Sequence, residues 1–162
     1  MRLWHKNLIK GLPREQLVAQ WRELSSIAGS IQTKGTPNHV LVNFVLDFPF
    51  DHFITYAKLV RAEMTNRGYR TMNSVWDKIV KLKPDWEEIP IENLYAEHMN
   101  NTYLVICMYN LMEKYICGGI KEEDWSNLYQ VYCQHSAFKE VYTKGLVKDR
   151  TDGIIHSKLD LF

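Results

Sequence analysis

Pro13-Arg14-Glu15-Gln16-Leu17-Val18-Ala19-Gln20-Trp21-Arg22-Glu23-Leu24-Ser25-Ser26-Ile27-Ala28-Gly29 reads as one amphipathic helix. Leu17, Trp21, Leu24 and Ala28 recur at steps of four, three and four, which lines a single helical face. Proline suits a first turn, where its missing N–H has no partner to lose. The spacing therefore predicts a helix over 14–28 that stops at Gly29. Working outward, Asp51 is placed to cap a second helix whose inner stripe is Phe53, Tyr56, Val60 and Met64, with Gly68 as its stop. A shorter helix over 72–82 must end before Pro84, because the residue ahead of a proline is pushed out of helical geometry. Pro90 opens a long helix to Cys117, apolar nearly all round at 103–109 and so expected at the centre of the core. A last helical stretch covers 122–142. The Val- and Phe-rich segment 38–48 reads as a buried helix or an extended connector. Nothing repeats, and no Gly/Ser linker divides the chain. The expectation is a compact all-α fold, one helical domain over 1–162, with 145–162 as a loose tail and the segment before Pro13 not needed for the core.

With 162 residues, 46% hydrophobic and 24% charged, the composition is that of a globular protein with one core. No apolar run approaches the roughly 20 residues of a membrane span, and the first residues lack the apolar core of a secretory signal. Cys107, Cys117 and Cys133 are odd in number and include no C-x-x-C pair, as expected of reduced thiols in a cytoplasmic protein of a bacterium or a virus-infected cell. The six histidines are scattered without ligand spacing, so no metal is expected. No phosphate loop or nucleophile elbow appears. The net charge of +1 does not announce a nucleic-acid binder. Its distribution says more: residues 1–40 carry six Lys/Arg against two Glu, a net of +4, and residues 81–100 carry two Lys against five acids, a net of −3. A basic first quarter can meet phosphates, or simply solvate helix surfaces.

The run from Pro13, with Gln16-Leu17, Trp21-Arg22-Glu23 and then Gly29, resembles the first helix of the pyrimidine-dimer DNA glycosylase/AP lyase family, whose phage member is also called endonuclease V. The distance from the N-terminus to Arg22-Glu23 agrees with that family to within a residue. His39-Val40 and the helix ending in Asn66-Arg67-Gly68-Tyr69 are similar to further family features, and Met1-Arg2-Leu3-Trp4-His5 looks like its cellular branch. The resemblance covers residues 1–70 and implies the endonuclease V-like helical fold, with an N-terminal segment that reaches the active site.

The resemblance also implies a chemistry: an amine attacks C1′ of the damaged nucleotide, a Schiff base forms, and β-elimination breaks the backbone. The attacking amine must be neutral. An α-amine ordinarily has a pKa of about 7.7–8.0, so roughly a tenth to a fifth is neutral at pH 7, whereas an ordinary lysine is almost wholly charged. Arg2 is too bulky to allow removal of the initiator residue, so the implied nucleophile is the amine of Met1. The implied anion, which stabilises positive character at C1′ and moves protons, is Glu23, at the edge of the apolar stripe beside Ile27. Read on its own, without the resemblance, Glu23 is an ordinary solvated helix carboxylate. Arg2 and Arg22 are the first candidates for phosphate contacts, followed by Arg14 and Lys34. His39 could touch DNA or hold a turn. The implied partner is damaged double-stranded DNA, bound by a monomer without a cofactor or a membrane. Two other readings stay open: a glycosylase for another modified base, and a non-catalytic protein on the same scaffold that sequesters a nucleotide or a host protein.

Overall fold

The computed structural model describes residues 1–135 and, as backbone, 146–148 and 155–157. Among the described residues five α-helices make the body: α1 (Arg14–Lys34), α2 (Phe50–Asn66), α3 (Asn73–Val80), α4 (Asn101–Ile116) and α5 (Glu122–His135). Two 3-10 turns, Lys6–Gly11 and Asn43–Asp47, precede α1 and α2. Beyond the helices, β1 (Leu146–Lys148) pairs antiparallel with β2 (Ile155–Ser157), with Val147 opposite His156. The fold is helical, as expected. The tail expected over 145–162 lies outside the described residues apart from this short ladder, and so does most of the stretch after His135.

Helix α1 extends past Gly29. Ile31 continues the buried stripe of Leu17, Trp21, Leu24, Ile27 and Ala28, and the chain turns only at Gly35, whose φ of 71° is left-handed and accessible at little cost to glycine. Gly29 lies inside the helix. A Cβ there would stand 2.5 Å from Lys78 Nζ, the end of a flexible side chain of α3 that lies across α1 and would have to swing aside. The inner stripe of α2 is as expected, with Phe53, Tyr56, Val60 and Met64 all buried. Asp51 does not cap α2, however. It lies buried in the first turn and binds Lys83 Nζ at 2.8 and 2.9 Å and the Glu87 amide at 2.7 Å, which ties the segment before Pro90 to the helix. The Glu87 amide and Lys83 hold its carboxyl below the usual range.

The long helix expected from Pro90 is shorter. Residues 91–98 form successive turns, and α4 begins after Asn100, whose side chain accepts from the Tyr103 amide at 3.1 Å. Only one side of α4 is core: Leu104, Cys107, Met108 and Leu111 are buried, while Ile106 and Tyr109 are exposed. The 38–48 segment is neither strand nor buried helix but a turn followed by the second 3-10 turn, with Val42 and Val45 inward. The segment before Pro13 is also part of the core. Leu3, Leu8, Ile9 and Leu12 are fully buried, and α5 packs against the turn they form. Arg67 closes that turn from α2, donating to the carbonyls of Leu12 at 2.6 Å and Lys10 at 2.8 Å while paired with Glu63 at 2.6 Å. The Arg-Gly-Tyr pattern thus serves the fold, capping carbonyls that the 3-10 turn leaves open.

Candidate active site

The N-terminal segment is a short extended strap laid along α1. The Trp4 amide donates to Gln20 Oε1 at 2.9 Å, and one turn further on the Arg2 amide donates to Glu23 Oε2 at 3.3 Å. Tyrosines from two other helices hold the strap's carbonyls. Tyr56 of α2 donates to the Trp4 carbonyl at 2.7 Å, and Tyr103 of α4 donates to the Leu3 carbonyl at 2.6 Å. Burial pushes both hydroxyls well above the usual tyrosine range, so both stay protonated donors; at Tyr103 the Arg2 guanidinium offsets part of that effect. Four side chains from three helices therefore fix residues 2–4, and only Met1 projects, exposed, from the end of the strap.

This geometry brings Met1 and Glu23 together. Standard backbone dimensions allow at most about 3.7 Å between successive nitrogens, which bounds the α-amine at about 7 Å from the carboxylate oxygen that the Arg2 amide touches. Glu23 is half-buried, and none of the ion pairs among the described residues includes it.

The basic candidates converge less. Each helical residue turns about 100° and rises about 1.5 Å, so Lys34 shares the edge of Glu23 within about 20°, roughly 16 Å along the axis. Arg22 faces about 100° away, and Arg14 lies on the opposite edge, where it sits over the Tyr69 ring at 5.6 Å. Arg2 borders the site through its own backbone and reaches Tyr103 and Cys107 with its guanidinium. His39 organises the turn after α1. Its Nδ1 accepts from the Leu41 amide at 3.3 Å, and its carbonyl accepts from Val42 at 2.8 Å and Asn43 at 3.0 Å. No grouping of three or more potential metal ligands occurs among the described residues. No described helix is long and apolar enough to cross a membrane.

Gln20, Tyr56 and Tyr103 are positioning residues that periodicity assigns to the core. One signal for the first of them is legible: Gln20 interrupts the stripe of Leu17, Leu24 and Ile27, and a buried amide on an apolar face needs a partner. Tyr56 and Tyr103 carry no such local sign, because their partners lie 52 and 100 residues away.

His5 completes the strap's anchorage. It accepts at Nδ1 from the Asn7 amide at 3.2 Å, which leaves Nε2 to donate to the Met99 carbonyl at 2.8 Å. Burial pushes its pKa down to about 4 from 6.5, so the folded protein holds it neutral while the unfolded chain binds a proton. Stability from neutral His5 is thus complete above pH 6.5 and falls away as pH drops towards 4, by about 3 kcal/mol. Burial also lowers the pKa values of His52 and His98, which adds to the slope. Urea melts between pH 7.5 and 4.5 should show that loss, with a shallower slope in His5→Asn; a flat parent profile would contradict it.

Residues 1–77 match the family described as pyrimidine dimer DNA glycosylase. No curated protein and no solved structure matches the chain.

Proposed function

From the match of residues 1–77 to pyrimidine dimer DNA glycosylases, we infer that this protein excises UV-type pyrimidine dimers from double-stranded DNA and then cleaves the abasic strand as a lyase. The observation that supports the reading is the Arg2 amide bound to Glu23, which keeps the Met1 nitrogen within about 7 Å of a carboxylate that is in none of the ion pairs among the described residues. The neutral Met1 amine attacks C1′, and the glycosidic bond breaks with its electron pair leaving on the base. The sugar ring opens to an imine. Loss of a proton from C2′ then expels the 3′ phosphate. Glu23 stabilises the positive charge that develops at the sugar and accepts protons during elimination. The strap matters because an attacking group must be held in near-attack geometry, and residues 2–4 have little freedom left. Arg2 beside the strap, Lys34 on the edge of Glu23 and Arg22 on the next face hold phosphates on either side of the lesion, with His39 further out.

Borohydride reduction of a mixture with UV-irradiated or abasic-site duplex should trap a covalent protein–DNA species. No trapped product with either substrate, where a control lyase crosslinks, would end the enzyme reading.

A further inference from the structure

The turn after α1 presents apolar side chains where a globular protein would ordinarily place polar ones. Val40 is 85% exposed and Leu41 45%, at the tip between His39 and the buried Val42. The tip is held by local hydrogen bonds: the His39 amide donates to the Asn43 side-chain Oδ1 at 3.0 Å, and the His39 carbonyl accepts from two following amides. Its base is braced against the candidate site. Phe44 stacks on His98 with centroids 3.5 Å apart, His98 meets Tyr103 at 4.7 Å, and Tyr103 grips the Leu3 carbonyl of the strap. Lys34 lies a few residues before the tip, at the end of the helix edge that carries Glu23.

A strap fixed at residues 2–4 cannot follow C1′ into an intact duplex, so the DNA has to deform towards it. Small apolar side chains on a braced turn a few residues after Lys34 suit a base step: a phosphate meets the lysine, and unstacked base faces meet the apolar tip. We propose that Val40 and Leu41 form a wedge that enters the duplex at the lesion and opens it for the Met1 amine. The proposal rests on the glycosylase reading above. It differs from that reading in assigning the opening of the duplex to residues that take no part in the chemistry.

The test replaces both residues, Val40→Ser with Leu41→Ser, and checks by thermal melting that folding is kept. A 2-aminopurine beside a dimer in duplex DNA reports unstacking by fluorescence, independently of any bond cleavage. The parent should raise that fluorescence and the double variant should not. Single-turnover excision from the dimer duplex should fall roughly tenfold or more in the variant, while borohydride trapping on an abasic site in single-stranded DNA, already unstacked, should change less than about threefold. Val40→Leu should retain the parent's behaviour. Equal losses on both substrates, an unchanged excision rate, or fluorescence that rises as in the parent would each overturn the wedge. A parent that unstacks the duplex yet never traps would overturn the enzyme reading and leave the wedge standing.

Discussion

Glu23→Gln is expected to slow single-turnover excision by 10²–10³-fold, about 3–4 kcal/mol of transition-state stabilisation, with duplex affinity unchanged or higher. The glutamine oxygen can still accept from the Arg2 amide, so the strap keeps its place while the negative charge is lost. Affinity holds because a carboxylate facing phosphates repels them. Arg22→Ala should give the opposite signature, weaker binding with a salt dependence flatter by about one phosphate contact and a smaller change in the chemical step. Single-turnover rates measured beside equilibrium binding separate the two. If Glu23→Gln loses rate and affinity in proportion, or melts well below the parent, the carboxylate holds the strap and does not act on the sugar.

That expectation rests on a contact that only part of the sequence makes visible. Glu23 at the edge of the α1 stripe follows from helical periodicity, because Leu17, Trp21, Leu24 and Ala28 fix the inward direction and leave little choice for a residue between them. The strap does not follow in the same way. Leu3, Leu8, Ile9 and Leu12 have no regular period, since they fold as an extended segment and a 3-10 turn, and a reading that looks for helical stripes sets them outside the core. The packing of α5 and the long-range grip of Tyr56, Tyr103 and Arg67 bring them in.

Two helix ends show the same division between local and distant causes. Gly35 stops α1 by a local rule, through its positive φ, whereas Gly29 looks like a stop but has no positive φ and lies inside the helix, under the Lys78 side chain. At Pro90 a permissible helix start is overridden. Lys6 donates to the carbonyls of Glu92 at 3.0 Å and Leu94 at 2.8 Å, and the Tyr95 amide donates to His52 Nδ1 at 3.0 Å, so side chains from elsewhere take the polar groups that a helix would have paired internally. Charge and proximity in sequence group the basic residues, but helical rotation spreads them over different faces: Lys34 stays on Glu23's edge and Arg14 goes to the other.

Blocking the Met1 amine should abolish the borohydride-trapped species altogether while leaving the fold unchanged. Acetylation is the cleaner way to do it. Leu3, Leu8, Ile9 and Leu12 are core, so a long N-terminal extension risks their packing, but Met1 itself is 42% exposed and the first hydrogen bond of the strap is one residue further on, at the Arg2 amide. An acetyl group removes the nucleophilic lone pair without touching the four hydrogen bonds of the strap, and circular dichroism and melting temperature should match the parent. The competing nucleophile is Lys6, whose pKa burial lowers from its ordinary value and which lies on the same segment. Its ammonium donates to the Glu92 and Leu94 carbonyls, contacts that a neutral, attacking amine directed at DNA would have to give up. Lys6→Met in the unblocked protein should therefore keep trapping, with some loss of stability where the two carbonyls lose their donor. Peptide mapping of the crosslink decides between them. Adduct on residue 1 that disappears on acetylation supports the α-amine, whereas undiminished crosslinking of the acetylated protein, mapped to Lys6, would move the nucleophile to the lysine and reduce the Arg2–Glu23 contact to a structural one.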